Sequence, residues 1–200
     1  MIFVSSKISD GNMDFRFGES KKVSENRKRV FSRLGIQSVV EVTQVHGNQV
    51  LVVDGTSDPQ TEADGLISNK KDIYLMIKLA DCMAIGFHDS KHNTIGLAHA
   101  GSKGLEKGVI KNTIKKMVKN FQTYPKKLIV KISPSIGPCH YRIDLLQEAE
   151  KQLVKTGVLK ENIENPKICT YESKDYFSHR RSEDTKTAEG RFVTILGLKG

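Results

Sequence analysis

The 200-residue chain has no apolar run approaching the ~18 residues that a membrane-spanning helix needs. Its opening, Met1-Ile2-Phe3-Val4 followed at once by Ser and Lys, is too short for the apolar stretch of a secretory leader. Cysteine is scarce. Cys82, Cys139 and Cys169 are 3 in number, odd and sparse, which argues against a disulfide framework. Reduced thiols in the cytoplasm are expected, with metal or catalytic use ahead of crosslinking. The glycine patterns of dinucleotide and P-loop sites are missing. So is the His-x-Glu followed by Cys-x-x-Cys of zinc deaminases. No internal repeat or linker divides the chain, and 38% hydrophobic content suits one globular domain over 1–200.

What is abundant is positive charge: 32 Lys and Arg against 23 Asp and Glu give +9. The lysines are scattered or paired, as at Lys21-Lys22 and Lys115-Lys116, with no aromatic-studded basic stripe. A solvated basic surface is therefore expected in place of nucleic-acid or membrane binding. Such a surface still attracts an anionic substrate such as phosphate.

Residues 73–104 are the organising stretch. Ile73 to Ile77, Met83 to Phe87 and Thr94 to Ala98 are short apolar runs without helical period, which predicts three strands. The first and third are near-continuously apolar and so buried on both faces. Before them, an edge strand is expected at the start. A helix follows, capped by Ser24, with Val30, Phe31 and Leu34 inward and Gly35 as its stop. Strands are expected at Val39 to Val45, Gln49 to Val53 and Leu66-Ile67, with a polar loop from Asp54 to Glu62. After them, Gly101 to Gly104 turns into one long helix with Ile110, Ile114, Met117, Val118 and Phe121 on its apolar face. Leu128 to Ile132 reads as a buried strand. Asp144 caps a helix burying Leu145, Ala149 and Leu153, with Gly157 its stop. Residues 158–167 read as a loop, Ile168 to Thr170 as a strand and Glu172 to Arg181 as a helical turn. Ser182 to Glu189 reads as a loop before a closing strand from Phe192 to Leu196.

His46, Cys82 and His99 each fall at a strand end. Two imidazoles and a thiolate could hold zinc with the fourth position open to water or substrate. The same residues could instead make Cys82 a nucleophile activated by a histidine, or be packed structure only. Asp81 would face away from Cys82 and so reads as structural. Cys139 and His140 could add ligands, and Arg180 and Arg181 could bind phosphate through forked donors.

Several motifs stand in a fixed order: Gln44-Val45-His46-Gly47, Ala63-Asp64-Gly65, Ala80-Asp81-Cys82, His99-Ala100-Gly101, Gly137-Pro138-Cys139 and Ser178-His179-Arg180-Arg181. In that order they resemble the YfiH-like laccase-domain family over nearly the whole chain. The resemblance implies an α/β (α+β) single domain, with a mixed β-sheet flanked by helices. It further implies a metal site of His46, Cys82 and His99 for Zn2+, with copper as the alternative ion. These three would be the catalytic residues, and Gln44, Asp64, Lys103, Arg180 and Arg181 would contact substrate. The implied activity is zinc-dependent purine nucleoside phosphorolysis of adenosine, inosine or methylthioadenosine, accompanied by adenosine deamination. The alternatives are copper-dependent polyphenol oxidation, a cysteine hydrolase, peptidoglycan-precursor editing, or a metal-binding member without turnover. Six histidines without a His-x-His pair weigh against multicopper chemistry. Two departures stand out: Ser102-Lys103 where the family has Trp-Arg, and Cys139-His140-Tyr141-Arg142 where it tends to have Cys-Cys-Tyr-Glu.

Overall fold

The computed structural model describes residues 1–55 and 58–200, so Thr56 and Ser57, inside the polar loop expected over 54–62, lie outside the described residues. Among the described residues, nine strands form two sheets, accompanied by five α-helices. The strands are β1 (Ile2–Ser5), β2 (Val50–Val52), β3 (Gly65–Ser68), β4 (Tyr74–Leu79), β5 (Met83–Asp89), β6 (Thr94–Ala100), β7 (Ile129–Ile132), β8 (Ile163–Glu164) and β9 (Phe192–Gly197). The helices are α1 (Ser20–Leu34), α2 (Ser102–Glu106), α3 (Val109–Phe121), α4 (Leu145–Lys155) and α5 (His179–Thr185).

The larger sheet runs β2-β3-β6-β5-β7-β8, with parallel pairs only at its two edges, β2 with β3 and β7 with β8. The smaller sheet, β1-β9-β4, is antiparallel throughout. The expected mixed sheet with flanking helices is present, and a second sheet accompanies it. β4 and β5 are neighbours in sequence yet belong to different sheets. The chain crosses between them at Ala80-Asp81-Cys82, where Asp81 takes φ +87.

Alternation along the strands builds the layers. In β6, Ile95 and Leu97 enter the core between the sheets, while Ala98 and Ala100 face the helices. In β5, Met83, Ile85 and Phe87 pack on the helical side, against Ile110, Ile114 and Met117 of α3 and Leu145, Ala149 and Leu153 of α4. The far face of the small sheet, with Tyr74, Met76, Val193 and Ile195, is covered by Val30 and Phe31 of α1. Among the described residues no helix is long and apolar enough to cross a membrane.

Several local expectations change. The first helix begins at Ser20, earlier than Ser24, because polar Ser20 to Lys22 extend it by a solvent-facing turn. Val39 to Val45 is not a strand: it makes only isolated bridges at Val40 and Thr43. The long helix after Gly101 is two helices, broken at Gly108, whose φ of +77 favours glycine. Val118 is 40% exposed, since it lies about 100° around the helix from buried Met117. β7 is not buried on both faces, because Ile129 is exposed on this strand near the sheet edge. Ile168 to Thr170 makes a single bridge from Cys169 to Ser135 instead of a strand. Residues 158–167 hold β8, too short to show a period. The expected turn from Glu172 becomes a helix only at His179, capped by the Ser178 side chain, and it takes in 182–185 of the expected loop.

Candidate metal centre and its cavity

The alternation that sends Ile95 and Leu97 between the sheets sends His99 the same way, at the end of β6. There it is 3% exposed. Cys82 stands at the crossing between the sheets, and His46 sits in a turn with φ +56. The donor atoms of His46, Cys82 and His99 all lie within 4.8 Å of one another. Cys82 Sγ is 3.8 Å from His46 Nε2. The His46 and His99 rings meet edge to face with centroids 4.8 Å apart.

One carboxylate organises this set. Asp64 is fully buried and accepts hydrogen bonds from the backbone N–H groups of Val45, His46 and Gly47 at 3.3, 3.0 and 2.6 Å. It also meets His99 Nδ1 at 2.8 Å, which leaves His99 Nε2 as the nitrogen free to ligate. The same side chain thus holds the strained turn of one histidine and the ring of the other. Burial raises the Asp64 pKa, but the His99 contact and the Gly47 N–H overcome it and hold the carboxyl below its ordinary range.

Gly101 completes the pocket around the sulfur. A Cβ at this position would stand 2.5 Å from Cys82 Sγ, a distance that atoms do not tolerate. Burial alone would raise the Cys82 pKa. The positive charge of His99 and the hydrogen bond with His46 outweigh it and bring Cys82 to about 6. Burial would lower the His99 pKa, yet the Cys82 thiolate and Asp64 lift it to about 9. The metal-free protein therefore carries a thiolate–imidazolium pair near neutral pH.

The residues fit a metal ion. Bond lengths of ~2.1 Å to nitrogen and ~2.3 Å to sulfur give a tetrahedral N···S edge of about 3.6 Å, close to the 3.8 Å between His46 and Cys82. The three residues open into a cavity of about 400 Å³, large enough for a small organic ligand.

The cavity wall is cationic. Arg16, Lys78, Lys103, Arg180 and Arg191 line it. Four of these are already paired: Arg16 with Asp14, Lys78 with Glu41, Arg180 with Glu183 and Arg191 with Glu189. Lys103 makes no ion pair among the described residues. Asp81 also borders the cavity, but its carboxylate accepts from Thr170 Oγ1 and the Arg180 N–H, both at 2.7 Å.

The expected substrate residues divide. Lys103 and Arg180 reach the cavity. Gln44 borders it, with its amide bonded to the backbone N–H and C=O of Lys78, each at 2.9 Å. Asp64 does not line the cavity, because its oxygens are spent inside the protein. Arg181 is also turned away, donating to the carbonyls of Thr170, Tyr171, Ser173 and Tyr176. Residues that the sequence reading missed are Arg16, Lys78, Tyr141 and Arg191. They come from segments remote in sequence, and only the alternation of Lys78 in an otherwise apolar strand carried any signal.

Solved structures of similar fold include Bacillus licheniformis protein YfiH and YlmD from Geobacillus stearothermophilus. Each gives a TM-score of 0.87 at 26% identity, over 94% of this chain and 85% of the other. A protein named purine nucleoside phosphorylase from Campylobacter jejuni is 31% identical over 210 residues, covering 93% of this chain and 88% of its own. One of the same name from Rickettsia conorii is 33% identical over 123 residues, 62% of this chain and 50% of its own length. A family model described as multi-copper polyphenol oxidoreductase laccase matches residues 4–145 and 140–199, and the chain therefore belongs to this family, with the YfiH proteins among its relatives.

Proposed function

We propose that this chain is a zinc-dependent purine nucleoside phosphorylase acting on adenosine, inosine or methylthioadenosine. The observation that carries the reading is the His46–Cys82–His99 cluster opening into a nucleoside-sized cavity with Lys103, a cation without an ion pair among the described residues, on its wall. The names of the relatives supply the reaction class.

In phosphorolysis a phosphate oxygen bonds to the ribose C1′ while the C1′–N9 bond breaks, and the purine departs with the electron pair and gains a proton. Lys103 offers its charge to the phosphate, and the Arg180 guanidinium adds a second cation. A lysine in place of the family's arginine keeps the charge but gives a point contact instead of a fork. Two imidazoles and a thiolate suit zinc, which supplies Lewis acidity when bound. Asp64 keeps the His99 donor nitrogen aimed at the ion. Adenosine deamination in the same cavity is part of this proposal, since inosine would be both product and further substrate.

Polyphenol oxidation is the weaker reading. A His2Cys set can take one copper ion. Among the described residues, the other metal-ligating cluster holds a single histidine, so no bank of imidazoles exists for several coppers. The test is incubation of zinc-loaded protein with adenosine and phosphate. Adenine and ribose 1-phosphate should appear, and their absence at full zinc occupancy rejects the phosphorylase.

A further inference from the structure

We infer that Cys139, His140 and Cys169 form a second metal site, for a borderline ion such as zinc, behind the wall of the cavity just described. The donor atoms of the three lie within 4.8 Å of one another. None of them lines the first cavity. Cys139 and Cys169 instead border a separate cavity of about 330 Å³ together with Glu172.

Three features mark this as a ligand set and not a chance meeting of thiols. The sulfurs are 3.6 Å apart, against an S···S edge of about 3.8 Å in a tetrahedron with ~2.3 Å bonds. The Gly137 N–H donates to Cys169 Sγ at 3.2 Å, a contact that fixes the position of that sulfur. The His140 ring stacks on Tyr171 with centroids 3.7 Å apart and planes 14° from parallel, so its direction is set. Its Nδ1 is buried without a hydrogen-bond partner among the described residues, a rare condition for a ring nitrogen. Glu172 Oε1, 3.9 Å from that nitrogen, is near enough to serve as a fourth ligand after a small rotation.

A disulfide is the competing product of this pair. It would require an external oxidant and closure of the sulfurs to ~2.05 Å, and it would leave the His140 nitrogen as unpaired as before. A metal ion satisfies all three groups together.

The site joins two segments that both grip the first one. The Ile136 N–H donates to the Asp81 carbonyl at 2.8 Å, and Thr170 Oγ1 donates to the Asp81 carboxylate at 2.7 Å. Asp81 is the residue before Cys82. An ion held by Cys139, His140 and Cys169 therefore clamps the two loop segments that fix the Cys82 crossing.

The inference does not depend on which reaction the cavity supports. Reduced, metal-free protein should take up about two equivalents of zinc by elemental analysis after gel filtration. Cys139→Ser should lower this to one, and so should Cys82→Ala. The Cys82→Ala protein loaded with cobalt(II) should show thiolate-to-cobalt absorption, which disappears when Cys139→Ser or Cys169→Ser is added. Retention of the full zinc content by the Cys139→Ser/Cys169→Ser protein overturns the proposal. So does a single equivalent in the unsubstituted protein that only Cys82→Ala removes, or a Cys139–Cys169 disulfide in protein handled under reductant.

Discussion

Asp64 Oδ1 meets His99 Nδ1 at 2.8 Å while the same carboxylate accepts three consecutive backbone N–H groups at residues 45–47. A buried anion thereby fixes the two histidines relative to each other, although they are far apart in sequence. In Asp64→Asn, the amide nitrogen cannot accept, so either His99 or the turn loses its partner. Zinc affinity measured by chelator competition should fall about 10–100-fold. Unchanged affinity would remove Asp64 from the orienting role.

Gly101→Ala places a methyl where Cys82 Sγ sits, 2.5 Å away. The sulfur must move, and the three donors no longer converge. Elemental analysis should find the first site empty in a protein that remains folded by circular dichroism. Full zinc content would show that the crossing at Cys82 is pliable.

In metal-free protein with Cys139→Ser and Cys169→Ser, iodoacetamide reads Cys82 alone. Its pKa of about 6 means that the reactive thiolate grows as pH rises through 6, well before an ordinary thiol near 9. Replacing His99 with Gln removes the main opposing charge and should move the midpoint upward. Zinc should suppress labelling at every pH. A midpoint that ignores His99 contradicts the thiolate–imidazolium pair.

Glu41 stands between Arg27 at 2.6 Å and Lys78 at 2.8 Å, with all three side chains at most 15% exposed. Burial raises the Glu41 pKa, but the two cations overcome it and hold it below its ordinary 4.5. Its contribution to stability is therefore present above 4.5 and fades as pH falls through the lower folded value. Glu41→Gln should cost about 3 kcal/mol in urea unfolding at pH 7, because it strands two buried cations. The gap between variant and parent should narrow in acid. A constant gap down to pH 2 would show that charge is not its origin.

Lys103→Ala should raise the KM for phosphate about tenfold and leave the KM for adenosine nearly unchanged, as loss of one charge contact predicts. Lys103→Arg should restore phosphate binding. Steady-state kinetics with each substrate varied separately decides this. Equal effects on both substrates would place Lys103 away from the phosphate.

The strands around residues 73–104 were legible because fully buried strands concentrate apolar residues that no helical period explains. Cap chemistry was legible at two helix ends, though not at Ser24, which lies inside α1. Asp144 accepts from the Gln147 N–H as its spacing implies, and Gly35 ends α1 with φ +68. Elements set by distant partners were not legible. Val39 to Val45 has strand composition but finds only single bridges, and two-residue β8 exists because β7 offers an edge.

The sequence by itself determined which side chains could ligate a metal, the order of the motifs that carry them, and the near-continuous apolar run that buries β6 on both faces. It also determined that Lys103 stands beside the His99 strand end, since that adjacency is local. Only the tertiary structure decided that β4 and β5 separate into different sheets, which brings Cys82 to His46 and His99. It also decided that Asp64 and Arg181 face inward while Arg16, Lys78 and Arg191 line the cavity. The physical reason is that a strand's period tells which residues share a face, whereas the partner across that face is chosen by packing among segments remote in the chain.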